Sequence, residues 1–154
     1  MEQGANFSSC RTYRYALWRI WDESKPVAMF VGLNPSTADE TCDDPTVTRC
    51  QNYACDWEYG GLYMTNLFAY RSTDPQALFS VPNPVGEETD AHLKKLSRKA
   101  GIVVAAWGNH GSHLGRSKAV LALLEKPHYL KLNKTGEPAH PLYLSRSLKP
   151  KPLG

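Results

Sequence analysis

The run Val27–Leu33, VAMFVGL, is apolar throughout and stops at Asn34-Pro35. A strand with one wet face alternates polar and apolar residues. A run without alternation belongs to a strand buried on both faces, the situation of parallel sheets covered by helices. Leu62–Thr65 and Ile102–Trp107 repeat the pattern, and His128–Leu132 is a fourth candidate. Thr12–Trp21 alternates, is rich in aromatics and reads as a further strand. Helical stretches lie between. Asp44-Pro45 is a start signal, because Asp suits the N-cap and Pro the first helical position. Val47, Cys50, Ala54 and Trp57 then share one face, and Gly60-Gly61 is the expected stop. Asp74-Pro75 is a second start of this kind, inside a proline-rich loop. Glu87–Ala100 turns Leu93, Leu96 and Ala100 inward, and Ser117–Glu125 reads as another helix. Leu142–Leu144 is expected to be a short extended piece and Lys149–Gly154 a loose tail. The expected fold is one α/β domain over residues 1–148. It would have three layers, a mainly four-stranded parallel sheet with helices on both faces.

In open α/β sheets, ligands bind outside the carboxyl ends of the strands. The unusual residues of this chain fall there. Gly32-Leu33-Asn34-Pro35 closes the first apolar run, Asn66 the second and Trp107-Gly108 the third, while His140-Pro141 follows the fourth. Each has two readings. Asn34 either caps a turn or turns its amide to the cleft. Asn66 either makes a strand-end hydrogen bond or reads a ligand edge, since an amide offers donors and an acceptor. His140 is either a structural loop histidine or a donor to a ligand.

The remaining composition narrows the function classes. A chain of 154 residues suits one domain with a real core. Its 42% hydrophobic and 21% charged content is that of a globular protein. No apolar run approaches the roughly 20 residues that span a bilayer. Met1–Ser9 lacks a basic segment followed by an apolar one, so no signal peptide is expected. The expectation is a cytoplasmic protein with no membrane partner and no obligate protein partner. A net charge of +3 permits contact with an anion without demanding it. Lys94, Lys95, Arg98 and Lys99 read as a solvated helix face. Arg146, Lys149 and Lys151 read equally as solvated residues or as phosphate contacts.

Cys10, Cys42, Cys50 and Cys55 include no CxxC pair, so they read as reduced thiols, mostly in the core, with no metal and no cofactor expected. Acidic neighbours make Cys42 a poor nucleophile. His110 and His113 flank a Gly-rich turn where backbone N–H groups could hold a phosphate, but the turn lacks a phosphate-loop pattern and the histidines lack a third metal ligand.

Four segments together resemble the uracil-DNA glycosylase superfamily. Gly32-Leu33-Asn34-Pro35 is similar to the first motif of its mismatch-specific branch. Leu62–Arg71, LYMTNLFAYR, is similar to the strand-and-Asn segment of the iron–sulfur branch, without that branch's cysteines. Val104-Ala105-Ala106-Trp107-Gly108 resembles the apolar strand that ends in Gly. His140-Pro141-Leu142-Tyr143-Leu144-Ser145 resembles the last motif, with Leu142 in place of its Ser. The order and rough spacing agree over residues 27–147. The chain also resembles an uncharacterised family of small bacterial and phage proteins that carry the Asn-Pro-Ser-Thr-Ala-Asp signature.

The first resemblance implies a glycosylase-like hydrolase acting on DNA or a nucleotide, with a modified base as one option and no cofactor. Asn34 would orient the attacking water, and His140 would stabilise the departing base. Asn66 would read the base edge, with Gly32, Pro35, Ser36 and Phe68 completing the base pocket. Leu144 would wedge into the gap left by a flipped nucleotide, and Arg146 and Lys149 would steady phosphates. An amide is no general base, so a carboxylate is needed, with Asp44 the first candidate beside Asp39 and Asp43. The alternative is a catalytically weak nucleotide- or nucleic-acid-binding module on the same fold.

Overall fold

The apolar runs form the middle of a seven-stranded sheet in a computed structural model that describes residues 2–153. The strands are β1 (Glu2–Phe7), β2 (Arg14–Ile20), β3 (Val27–Gly32), β4 (Gly61–Asn66), β5 (Ile102–Ala105), β6 (Pro127–Tyr129) and β7 (Lys151–Pro152). Their spatial order is β1-β2-β4-β3-β5-β6-β7. β4–β3, β3–β5 and β5–β6 pair in parallel; β1–β2, β2–β4 and β6–β7 pair antiparallel. The fold is therefore α/β with a mixed sheet, wider than the mainly four-stranded parallel sheet expected from the apolar runs.

The two edge strands explain the difference. β1, EQGANF, buries only Gly4 fully, and β7 is exposed at both residues. Ladder hydrogen bonds to β2 and β6 hold them, so they leave no hydrophobic pattern to read. The stretch expected as a loose tail thus contributes Lys151 and Pro152 to the sheet edge, a position where proline is tolerated; Gly154 lies outside the described residues. Leu142–Leu144 is likewise not extended throughout, because Pro141–Tyr143 forms a 3-10 turn.

Three helices cover the sheet: α1 (Pro45–Asp56), α2 (Thr89–Lys99) and α3 (Arg116–Leu121). Strand alternation sends Ala28, Phe30, Leu62, Met64 and Val104 to one face, where they meet Val47, Cys50, Tyr53 and Ala54 of α1. Met29, Val31, Val103 and Ala105 point to the other face, where they meet Leu93 of α2 and Val120 of α3. α1 begins at the expected Asp44-Pro45 signal. It ends at Asp56, and the chain turns through Glu58, at φ 66°, ahead of the glycine pair. Of the cysteines, Cys50 alone is buried; Cys10, Cys42 and Cys55 are exposed, against the expectation of mostly core thiols. No helix of the described residues is long and apolar enough to cross a membrane.

One irregularity matters for the site. In the β1–β2 ladder Asn6 faces Ala16 and Phe7 faces Arg14, so Tyr15 is the extra residue of a β-bulge. A bulge shifts the alternation by one and re-aims the side chain beyond it. Arg14 is thereby buried, 2% exposed, beside Met64 and Val47 of the α1-side core.

Candidate functional site

The site grows out of the carboxyl ends of β3 and β4 on the α1 face. Gly32 and Asn66 are register partners there, in step with Phe30 and Met64. Asn66 is 4% exposed, and its Nδ2 has no hydrogen-bond partner. A Cβ at position 32 would stand 3.0 Å from Asn66 Oδ1, so the glycine leaves that amide its room.

Asn34 follows at the strand end. Its Nδ2 donates to Ser72 O at 3.0 Å and to Pro35 O at 3.2 Å. Both amide hydrogens are thus used to pin the turn, and Oδ1 is the end left to accept from a ligand or water. Asp44 is fixed by its helix. Its Oδ1 accepts from Val47 N at 2.9 Å as the N-cap of α1, and Oδ2 accepts a longer bond, 3.4 Å, from Ala38 N.

His140 approaches from the far end of the chain. Its Nδ1 accepts from Leu142 N at 3.3 Å, which leaves Nε2 to carry the proton and act as a donor. Burial lowers its pKa below the usual imidazole value, and the negative charge of Asp44 opposes that shift. The segment after His140 is tied to α1. Arg49 donates to Leu142 O and Leu144 O, and the Tyr53 hydroxyl donates to Ser145 O. Gly108 admits the loop: at φ 79°, ψ −175° only glycine rests easily, and its N–H donates to Pro138 O.

These side chains converge. Asn34, Ser36, Asp44, His140 and Leu144 line one cleft of about 720 Å³, with Trp107, Gly108 and Lys131 on its other wall. Behind it a recess of about 30 Å³ is lined by Gly32, Pro35, Asn66 and Arg14, and shares Asn34, Asp44 and His140 with the cleft. Asn34 is accordingly both turn-forming and cleft-lining.

Three expected residues lie elsewhere. Phe68 is fully buried in the core beneath α2 and α3, because β4 ends at Asn66 and the chain then bends, with Leu67 N and Phe68 N donating to Gly32 O and Leu33 O; it lines neither cavity. Arg146 is engaged by Asp56 through two hydrogen bonds of 2.8 and 3.1 Å, so its charge is already paired. Lys149 is exposed and away from the cleft lining. Leu144 does line the cleft, but it packs half-buried against the core; the side chain standing out at the mouth is Tyr143, 88% exposed. Tyr143, Arg14 and Lys131 belong to the site; Tyr143 stood inside the last motif without a role, and Arg14 and Lys131 had no motif to announce them. The one available sign for Arg14 was a charged residue inside the alternating run Thr12–Trp21.

Among the described residues no group of three or more His, Cys, Asp or Glu side chains could hold a metal ion. The expected solvated face is present, with Lys94, Lys95, Arg98 and Lys99 all exposed on α2.

Residues 14–142, well over half of the chain and the whole span from Arg14 to the His140 turn, match the family described as Protein of unknown function (DUF1643). The chain belongs to this family. Neither curated proteins nor solved structures gave a match. The family match begins at Arg14, the residue that the β-bulge turns into the recess, and ends just beyond His140.

Proposed function

We propose that this member of the family is a hydrolase of the N-glycosidic bond, acting on a nucleobase in DNA or a nucleotide, in the cytoplasm. The observation that carries the reading is the convergence of Asn34, Asp44 and His140 on one cleft, with Asn66 at its back. A cleft of about 720 Å³ lies in the usual range for small-molecule sites. The division of labour follows from the groups that line the cleft. Asn34 Oδ1 accepts a hydrogen bond from the attacking water, and the Asp44 carboxylate takes its proton. The water oxygen bonds to the anomeric carbon as the carbon–nitrogen bond breaks, and the electron pair leaves with the base. His140, neutral and donating through Nε2, stabilises the charge that builds there. Asn66 Nδ2 meets an acceptor on the base. Tyr143 offers an exposed ring at the mouth on which a neighbouring base can stack.

The same reading takes β4-β3-β5-β6, with helices on both faces, as a three-layer core of the uracil-DNA-glycosylase kind. Among the described residues Lys131 is the one lysine or arginine on the cleft wall, and Arg146 is paired with Asp56.

The test is a substrate screen. The protein is incubated with oligonucleotides and with nucleotides carrying deaminated, mismatched and modified bases, and the free base is detected by chromatography and mass spectrometry. Release of a base from at least one class supports the hydrolase. Saturable binding without release from any class assigns the chain to the alternative, a nucleotide-binding module.

A further inference from the structure

Two buried donors at the back of the cleft lack acceptors. Arg14 uses Nη1 on Ala38 O at 3.2 Å, while Nε makes no hydrogen bond, nor does Nη2 among the described residues. No carboxylate among the described residues forms an ion pair with it. Asn66 Nδ2 is the second orphan. Arg14 and Asn66 are 2% and 4% exposed, and both line the recess. Buried donors are nearly always satisfied, and a guanidinium left unpaired is among the costliest exceptions.

The recess has a definite capacity and polarity. At about 30 Å³, against about 720 Å³ for the cleft, the recess suits a small polar group rather than a ring. Burial lowers the Arg14 pKa to about 10, which still leaves it cationic at neutral pH. Arg19 and Arg71 add positive charge nearby. Among the described residues Asp44 is the one acid on the recess wall, and its charge acts on Arg14 without forming an ion pair; its two oxygens already accept from Val47 N and Ala38 N, and the N-terminus of the twelve-residue α1 offsets part of its charge. The Nε–Nη2 edge of a guanidinium presents two parallel N–H groups that match the two oxygens of a carboxylate.

We propose that the recess is a carboxylate subsite, in which the Nε–Nη2 edge of Arg14 and the Nδ2 of Asn66 grip a carboxylate carried by the molecule in the cleft. Taken with the proposed function, on which the subsite itself does not depend, this makes the substrate a modified base bearing a carboxylate. The bulge at Tyr15 is the device that delivers the arginine.

The test uses the full chain labelled with nitrogen-15, observing the Arg14 Nε–H and Asn66 Nδ2–H₂ signals during titration with sodium formate. Formamide is the neutral isostere, inorganic phosphate the oversized anion and sodium chloride the ionic-strength control. Formate is expected to shift both signals saturably and to bind about tenfold or more tightly than formamide, the margin of a charge-assisted hydrogen bond over a neutral one. Phosphate and chloride are expected to leave both signals in place. Arg14→Gln should weaken formate binding by about tenfold or more. Should that variant fail to fold, Asn66→Asp keeps the volume, sets a like charge in the recess and should abolish binding. No saturable shift, equal affinity for formamide, or unchanged affinity in the folded variants would overturn the subsite. Formate binding without base release in the substrate screen keeps the subsite and removes the glycosidase. Base release without formate binding does the reverse.

Discussion

Asp44 caps α1 and is the proposed general base, and a pair of substitutions separates the two roles. Asp44→Ala removes the acceptor of the 2.9 Å N-cap bond from Val47 N and of the 3.4 Å bond from Ala38 N. Loss of an N-cap costs about 1 kcal/mol in the typical case, and the long second bond adds about 0.5, for roughly 1.5 kcal/mol in all. For a domain of this size each kcal/mol lowers Tm by about 2–4 °C, so a fall of roughly 3–6 °C is expected. Asp44→Asn keeps an equally good N-cap acceptor and loses only the interaction of the charge with the helix N-terminus, about 0.3–1 kcal/mol. Both substitutions remove the proposed general base and should cost roughly 10²–10⁴ in rate on a cleaved substrate. Thermal unfolding followed by circular dichroism, with parallel assays of base release, reads both effects. If Asp44→Asn proved as destabilising as Asp44→Ala, the charge rather than the cap would hold the helix start. If Asp44→Asn kept full activity, Asp44 would not be the base.

Gly32→Ala puts a methyl group 3.0 Å from Asn66 Oδ1, so it should displace that amide and weaken ligand binding, with a stability loss of about 1–3 kcal/mol in urea titration. Burial depresses the His140 pKa in the folded state, so the unfolded chain takes up its proton first. Stability should therefore fall as pH drops from the unfolded value near 6.5 to the lower folded value. Denaturation midpoints across that window should show a shallower slope in His140→Gln. Tyr143→Ala should leave stability within about 0.5 kcal/mol, because the side chain is 88% exposed, yet weaken binding of any substrate longer than one nucleotide. Calorimetry with a mononucleotide and a short oligonucleotide compares the two affinities.

What the sequence disclosed follows from what each part of the fold needs. β3, β4 and β5 are buried on both faces, so their composition alone reveals them, and the polar residues that end them mark the cleft. Asp44-Pro45 is a local signal whose cap can be read from two residues. β1 and β7 depend on a neighbouring strand's backbone, and backbone hydrogen bonding has no side-chain signature. Arg14 depends on a bulge, which no pattern of alternation anticipates. Phe68 belonged to the right motif, but its position on the opposite side of the sheet is settled by the path after Asn66, where Leu67 N and Phe68 N donate to Gly32 O and Leu33 O. Arg146 lies near the last motif in sequence and is claimed by Asp56 in space.

In the proposed reaction Asn34 and His140, which line the same cleft and the same recess, act together on one bond. This is tested most directly on a substrate found in the screen, by comparing initial rates of base release for the unaltered protein, His140→Ala, and Asn34→Ala combined with His140→Ala. Loss of the preorganised donor alone should cost roughly 10²–10³ in rate, and the double variant should be slower still, with circular dichroism unchanged for both. Base release at the full rate by the folded double variant would exclude both residues from the reaction.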